Sequence, residues 1–306
     1  MKYILYVLLL VGVINSSEAQ KFKPSLNLAK GKTYTLSSRA NSVIVQTVGG
    51  QQNTIKLDYD YRMAFKVTGV TDSVYSMEVS YQSLDMKMDM AGRGIEFNSE
   101  KHDPGDIPST IVAAMMNKPF NVEMTKTGKI RSVTNIVKMV TASLGQLTGI
   151  DSAKKEQLKT MFLQTFGPSA FKGSLEVETA ILPEVAVAKD DKWTVSTQLE
   201  SPVKALVSMD YQLTDIAQGM YLIHGDGKIA SDKNSPPVNI NGLPVKYDLN
   251  GSVISDTRID QSTGWLKEAK LKQVMMGSMH IADSPQVPGG MDIPVSFDTD
   301  LAITGN

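Results

Sequence analysis

Met86, Met88 and Met90 stand at alternate positions. On a β-strand that spacing turns three thioethers to one side. Met275, Met276, Met279 and His280 form a second group later in the chain. Thioether sulfur together with imidazole nitrogen is a donor set that Cu(I) favours, so these seven residues are a candidate metal site. The same thioethers support a reading without metal. Methionine is flexible and polarizable, and a sheet face rich in it adapts to apolar ligands of varied shape. Carboxylate pairs are the third possibility. Asp226 with Asp232, or Asp256 with Asp260, lie in one stretch with His224 and fit the two-acid requirement of glycoside cleavage.

Other chemistries lack their residues. There is no cysteine, which excludes thiol catalysis, disulfides, cysteine-ligated zinc and a lipid-modified N-terminal cysteine. The three histidines, His102, His224 and His280, show neither the i, i+4 spacing nor the His-x-x-Glu pairing of a zinc hydrolase. No Gly-x-Ser-x-Gly elbow and no phosphate-binding Gly-x-x-x-x-Gly-Lys loop occurs. The formal net charge of −1 supplies no basic excess for a nucleic acid, and aromatic and basic residues do not interleave. A non-enzymatic protein without a cofactor is the expectation.

The elements that must position these residues are mostly strands. Residues 55–67 and 75–90 alternate apolar and polar side chains around a turn at Thr71-Asp72-Ser73. Phe120–Met124 pairs across Thr127-Gly128 with Lys129-Ile130, and Ser252–Ile259 pairs across Ser262-Thr-Gly264 with Trp265–Val274. The middle has helical spacing instead. Val133 to Leu147 carries Ile136, Val137, Val140, Leu144 and Leu147. A second helix begins at Asp151, a good N-cap, carries Leu158, Met161, Phe162 and Phe166 as a stripe, and stops at Gly167-Pro168 with Gly167 as its C′ glycine, a position usually left-handed. A third short helix is expected over 169–178 and a helical turn over 110–116. The tail from Asp292 to Ile303 reads as a last edge strand, because Pro294 cannot donate to a ladder on both sides.

This gives a mainly β, α+β chain in four parts: a targeting segment over 1–19, a β unit over 20–132, a helical segment over 133–182 and a second β unit over 183–306. The two β units read as antiparallel meanders, forming a curved half-barrel or one continuous unit with the helices packed on the sheet. Their turns and strand starts match in order, Thr127-Gly-Lys-Ile130 with Thr263-Gly-Trp-Leu266 among them. A repeat explains that, and so does shared hairpin chemistry. The first part has Lys2, an uncharged apolar run from Tyr3 to Ile14 and small residues at Ser17 and Ala19. That is the pattern of an export signal and too short for a transmembrane helix. The mature protein is expected in the periplasm or outside the cell, without a later membrane span.

A resemblance sharpens the address. Leu28-Ala-Lys-Gly-Lys-Thr-Tyr34, Tyr81-Gln-Ser-Leu-Asp-Met-Lys-Met88, Phe97-Asn-Ser-Glu100, Leu182-Pro183, Val187 and Asp191-Lys-Trp193 together resemble a family of uncharacterised secreted proteins from Bacteroidota. The family usually shows glycine where Asp190 stands. It has no assigned activity, so the resemblance implies source and export and transfers no site residue. The leading expectation is an exported binding or structural module contacting an apolar, lipid-like ligand or an envelope partner. Met86, Met88, Met90, Leu158 and Phe162 are the candidate ligand contacts. Copper binding and an enzyme on envelope polysaccharide are the alternatives.

Overall fold

The computed structural model describes residues 20–306 apart from 91, 102, 104, 201, 202 and 241, so the expected targeting segment over 1–19 and His102 lie outside the described residues. The first β unit contributes β1 (Thr33–Val48), β2 (Gln51–Val70), β3 (Val74–Met90), β4 (Arg93–Asn98), β5 (Phe120–Thr125) and β6 (Ile130–Thr134), with α1 (Ile107–Met115) between β4 and β5. Then follow α2 (Ile136–Gly145), α3 (Ser152–Phe166) and α4 (Pro168–Thr179). The second unit contributes β7 (Lys192–Leu199), β8 (Ala205–Ala217), β9 (Met220–Ser231), β10 (Val238–Ile240), β11 (Leu243–Asp260), β12 (Leu266–Ile281) and β13 (Met291–Gly305).

All thirteen strands join one antiparallel sheet in the order β6-β5-β3-β2-β1-β13-β12-β11-β9-β8-β7, with β4 on β3 and β10 on β11. Each unit is a meander, and the last strand of the second pairs with the first strand of the first. The chain therefore begins in the middle of the sheet, runs to one edge, crosses through the helices to the other edge and returns. Laid flat, eleven strands would hold those edges roughly 50 Å apart. A single helix nevertheless reaches both. The Glu176 carboxylate of α4 accepts the Ile130 N–H of β6 at 2.7 Å. On the other side a Cβ at Gly173 would lie 2.8 Å from the Gln198 carbonyl of β7. The sheet is thus curled into an open barrel, and α4 fills its seam.

Period two explains the burial. Tyr61, Met63, Phe65 and Val67 of β2 and Tyr75, Met77, Val79 and Tyr81 of β3 point into the barrel under the helices. Phe120, Phe166 and Phe171 pack around Tyr81 within 6.3 Å between ring centres. The outer face is a ladder of ions and hydroxyls, including Arg39–Asp60, Lys66–Glu78, Arg258–Glu268 and Lys272 with Asp298 and Asp300. Among the described residues no helix is long and apolar enough to cross a membrane.

Three expectations change. The tail strand β13 is central, because β1 and β12 flank it. Pro294 is tolerated there because its partner is Ser278 on β12, while the β1 register ends at Gln46–Val295. Val133 belongs to β6 opposite Val122, so the first of the three consecutive helices starts only at Ile136, after Asn135 with φ 67°. Gly167 is not a left-handed C-cap. It is extended and caps the next helix, and glycine is required because a Cβ would lie 2.2 Å from the Leu163 carbonyl. The Asp151 cap is as expected, accepting the Lys154 N–H at 2.8 Å.

The segment before β1 ties the two units together. Leu26 N–H reaches the Lys126 carbonyl at 2.8 Å and Asn27 N–H reaches the Thr263 carbonyl at 2.7 Å, so it crosses both matching Thr-Gly turns. At the second turn Gly264 has φ +66° and a Cβ would lie 2.1 Å from the Ser25 carbonyl. Gly264→Ala is expected to cost about 2–3 kcal/mol, combining left-handed strain with displacement of that segment. Gly31→Ala, also left-handed but with open space around it, should cost about 1 kcal/mol. Urea denaturation of both variants checks this; equal losses would remove the role of the crossing segment.

Candidate functional site on the inner face

The helices cover only part of the barrel interior. Beyond them, strand registers align an apolar strip across the central strands. Its first row is Phe97, Met86, Tyr59, Ala40, Leu301 and Leu271. Its second is Ile95, Met88, Leu57, Ser42, Thr299 and Gln273, and its third includes Ile55, Ile44, Phe297 and Met275. The strip's central residues are half-buried, whereas the same face is fully buried under the helices. Polar atoms within it are few. Ser42 and Thr299 share a 2.8 Å hydrogen bond across β1 and β13. One strand past Leu271 lies Ser255, whose buried hydroxyl oxygen has no hydrogen-bond partner among the described residues. Leaving such a group unpaired costs about 1–3 kcal/mol.

A second, smaller apolar cluster closes the far end. Val245, Ile281 and Ile293 are buried there, with Val48, Ile240 and Val287 against them. Tyr247 and Met279 touch both this cluster and the main core.

The expected site residues separate. Met86 and Met88 line the strip, facing Tyr59 and Phe97 and then Leu57 and Ile95. Met90 is exposed at its margin. Leu158 and Phe162 of α3 are buried in the main core, where Phe162 stacks on Phe166 and lies 6.2 Å from Phe97. They support the strip from behind its edge. The seven-residue metal set does not assemble. Alternation on β12 sends Met275 and Met279 inward but Met276, 62% exposed, and His280 outward, where His280 Nδ1 meets Asp292 at 2.7 Å. Three strands intervene between β12 and the methionines of β3. Among the described residues no three His, Asp or Glu side chains gather as a metal would require.

The acidic candidates divide likewise. His224 sits between Asp256, 2.8 Å from Nδ1, and Asp226, 3.3 Å from Nε2. The hydrogen bond with Asp256 raises the imidazole pKa, with burial opposing. This trio stands on the outer face of the sheet, on the opposite side from the apolar strip. Asp232 instead binds its own turn, accepting from Asn234 N–H and the Ser235 hydroxyl at 2.9 Å, and Asp260 does the same with Ser262 and Thr263. Those contacts lower both carboxyls.

A buried carboxylate completes the inner face at the seam. Glu178 of α4 is 5% exposed inside the seam and accepts from the Tyr61 hydroxyl and, at 3.1 Å, from the Ser38 hydroxyl. Burial pushes its pKa up to about 7 against the pull of those two donors. Nothing in a Leu-Glu-Val-Glu-Thr stretch marks its two acids as buried; only the packing of α4 does, and it buries Glu176 as well.

The geometry defines a class: an open β-barrel, polar outside and apolar inside, sealed along its seam by a helix. The chain belongs to a family of unknown function, DUF6263, which matches residues 72–266. No curated protein sequence matches it. Among solved structures it is similar to one described as lipid–protein interactions in lipovitellin, at 9% identity and a TM-score of 0.46, over 92% of this chain and 25% of that one. It is also similar to the outer membrane protein OprG from Pseudomonas aeruginosa, at 7% identity and a TM-score of 0.28, over 90% of this chain and 94% of that one. The chain thus spans about a quarter of the lipovitellin chain. Both scores are too low to inform function.

Proposed function

We propose that this chain is an exported, non-catalytic carrier or binding module that holds an apolar, lipid-like chain against the inner strip of its sheet. The half-buried strip between two fully buried clusters is the observation that carries this reading. Burying each further 100 Å² of apolar surface stabilises by about 2.5 kcal/mol, so an acyl chain laid along the strip gains affinity without new charge contacts. The charged outer ladder supports an aqueous setting, since a membrane-spanning barrel turns its apolar residues outward.

An uncharged apolar fluorophore, N-phenyl-1-naphthylamine, tests the reading. Native protein is expected to enhance and blue-shift its emission at micromolar concentration. Ser42→Trp, which fills the centre of the strip, should weaken binding at least tenfold. Val43→Trp, one residue along the same strand but on the outer face, should leave it unchanged. No enhancement by native protein, or equal binding by both variants, would refute the proposal.

A further inference from the structure

The seam of the barrel is closed unequally. At one end α4 bridges β6 and β7 through direct contacts. Farther along, the flanking strands are β4 and β10, each paired on one side only. α3 lies against the first through Phe162 and Phe97. Toward the second it leaves a cleft of about 450 Å³, within the range of small-molecule sites. One wall carries Leu163, a residue packed on the main core, and the opposite wall carries Ile240, packed on the far cluster. The cleft therefore opens between the two apolar clusters that bound the strip. Three strand spacings, roughly 15 Å, separate β10 from β13 at the middle of the sheet.

Its rim is polar and balanced in charge. Lys204 and Glu200 both line it, and their ion pair is loose at 3.7 Å. Asp232 lies near the same ammonium and Lys246 near Asp232. Each charge on the rim thus has a neighbour of opposite sign. A purely anionic head would meet Lys204 but face Glu200 unpaired; a purely cationic head would reverse the problem. A head bearing one charge of each sign exchanges partners with the loose pair and leaves no charge alone. Both side chains are only partly buried, and solvent-accessible pairs of this kind are worth under about 1 kcal/mol, so little is lost when they open.

We infer that the cleft between α3 and β10 admits single-chain amphiphiles with a zwitterionic head, the head held at Lys204 and Glu200 while the chain passes to the inner strip. This rests on the proposed strip for the chain and adds the head group and the route of entry. Calorimetric titration of the full chain with three ligands of one tail, dodecylphosphocholine, laurate and dodecyltrimethylammonium, below their micelle concentrations, tests it. The zwitterion should bind about tenfold more tightly than either singly charged ligand. The double variant Glu200→Gln/Lys204→Gln should bring the three within about threefold of one another while still binding N-phenyl-1-naphthylamine. Equal affinities for native protein, or a preference that survives in the double variant, would overturn the assignment of the head while leaving the strip standing. If native protein binds neither the fluorophore nor any of the three, the strip fails and this inference falls with it.

Discussion

Raising the pH from 5 to 8 is expected to destabilise the protein by about 2–3 kcal/mol, and Glu178→Gln is expected to abolish most of that loss. The carboxyl has a native pKa of about 7 against an ordinary value of 4.5, so the fold binds its proton more tightly than the unfolded chain does. Ionisation is thus unpenalised below the unfolded value, and the penalty grows between the two pKa values and is complete above the native one. In a chain of this size the change corresponds to roughly 4 °C in melting temperature. His224 acts in the same sense, since its raised pKa gives stability at low pH that is lost as pH rises. The amide variant separates the two, because it removes only the Glu178 part. Glutamine keeps an oxygen for the Tyr61 hydroxyl and turns its amino group to the Ser38 oxygen, so the variant should be at least as stable as native protein at pH 8. Thermal melts of both proteins at the two pH values decide the matter. A native pH difference that the variant retains in full would show that Glu178 is not its source.

Phe171→Ala is expected to cost about 3–5 kcal/mol, among the largest single losses in the molecule. The ring stands on α4 at the seam, 4.8 Å from Phe120 and edge-on to it, and 6.3 Å from Tyr81. Removing it opens a void where the helix joins the sheet, and the curled sheet has no other strand to draw across. Met161→Ala on the exposed side of α3 should change stability by less than about 0.5 kcal/mol. Urea midpoints of the two variants measure the contrast. A Phe171 loss below about 1.5 kcal/mol would mean that the sheet holds its curl without the α4 anchor.

Much of the local structure was legible in the residues, because hairpins and caps depend on neighbours. Alternation over 75–90 and the turn at 71–73 predicted β3 and its pairing with β2, and Asp151 marked the start of α3 through a contact only three residues long. The strip was half legible. Met86 and Met88 are legible because period two is local, whereas Ile44, Phe297 and Leu301 are not. They join the site only through the pairing of β1 with β13, between residues more than two hundred positions apart, and Pro294 argued against a central strand there. The seven-residue copper set is divided between the two faces of the sheet for the same local reason that makes it visible. Residues adjacent in sequence on a strand face opposite sides, so Met275 and Met276 cannot share a site within the sheet.

By itself, then, the sequence determined that this is an antiparallel, cysteine-free protein of balanced charge with a helical middle and a one-sided apolar face. Those properties follow from side-chain type and period, which need no distant partner. Tertiary structure decided that the two meanders share one sheet, that α4 closes its seam and buries Glu178, and that the cleft beside β10 stays open. Such features arise from which edges meet when the sheet curls, and that is set by contacts between residues far apart along the chain.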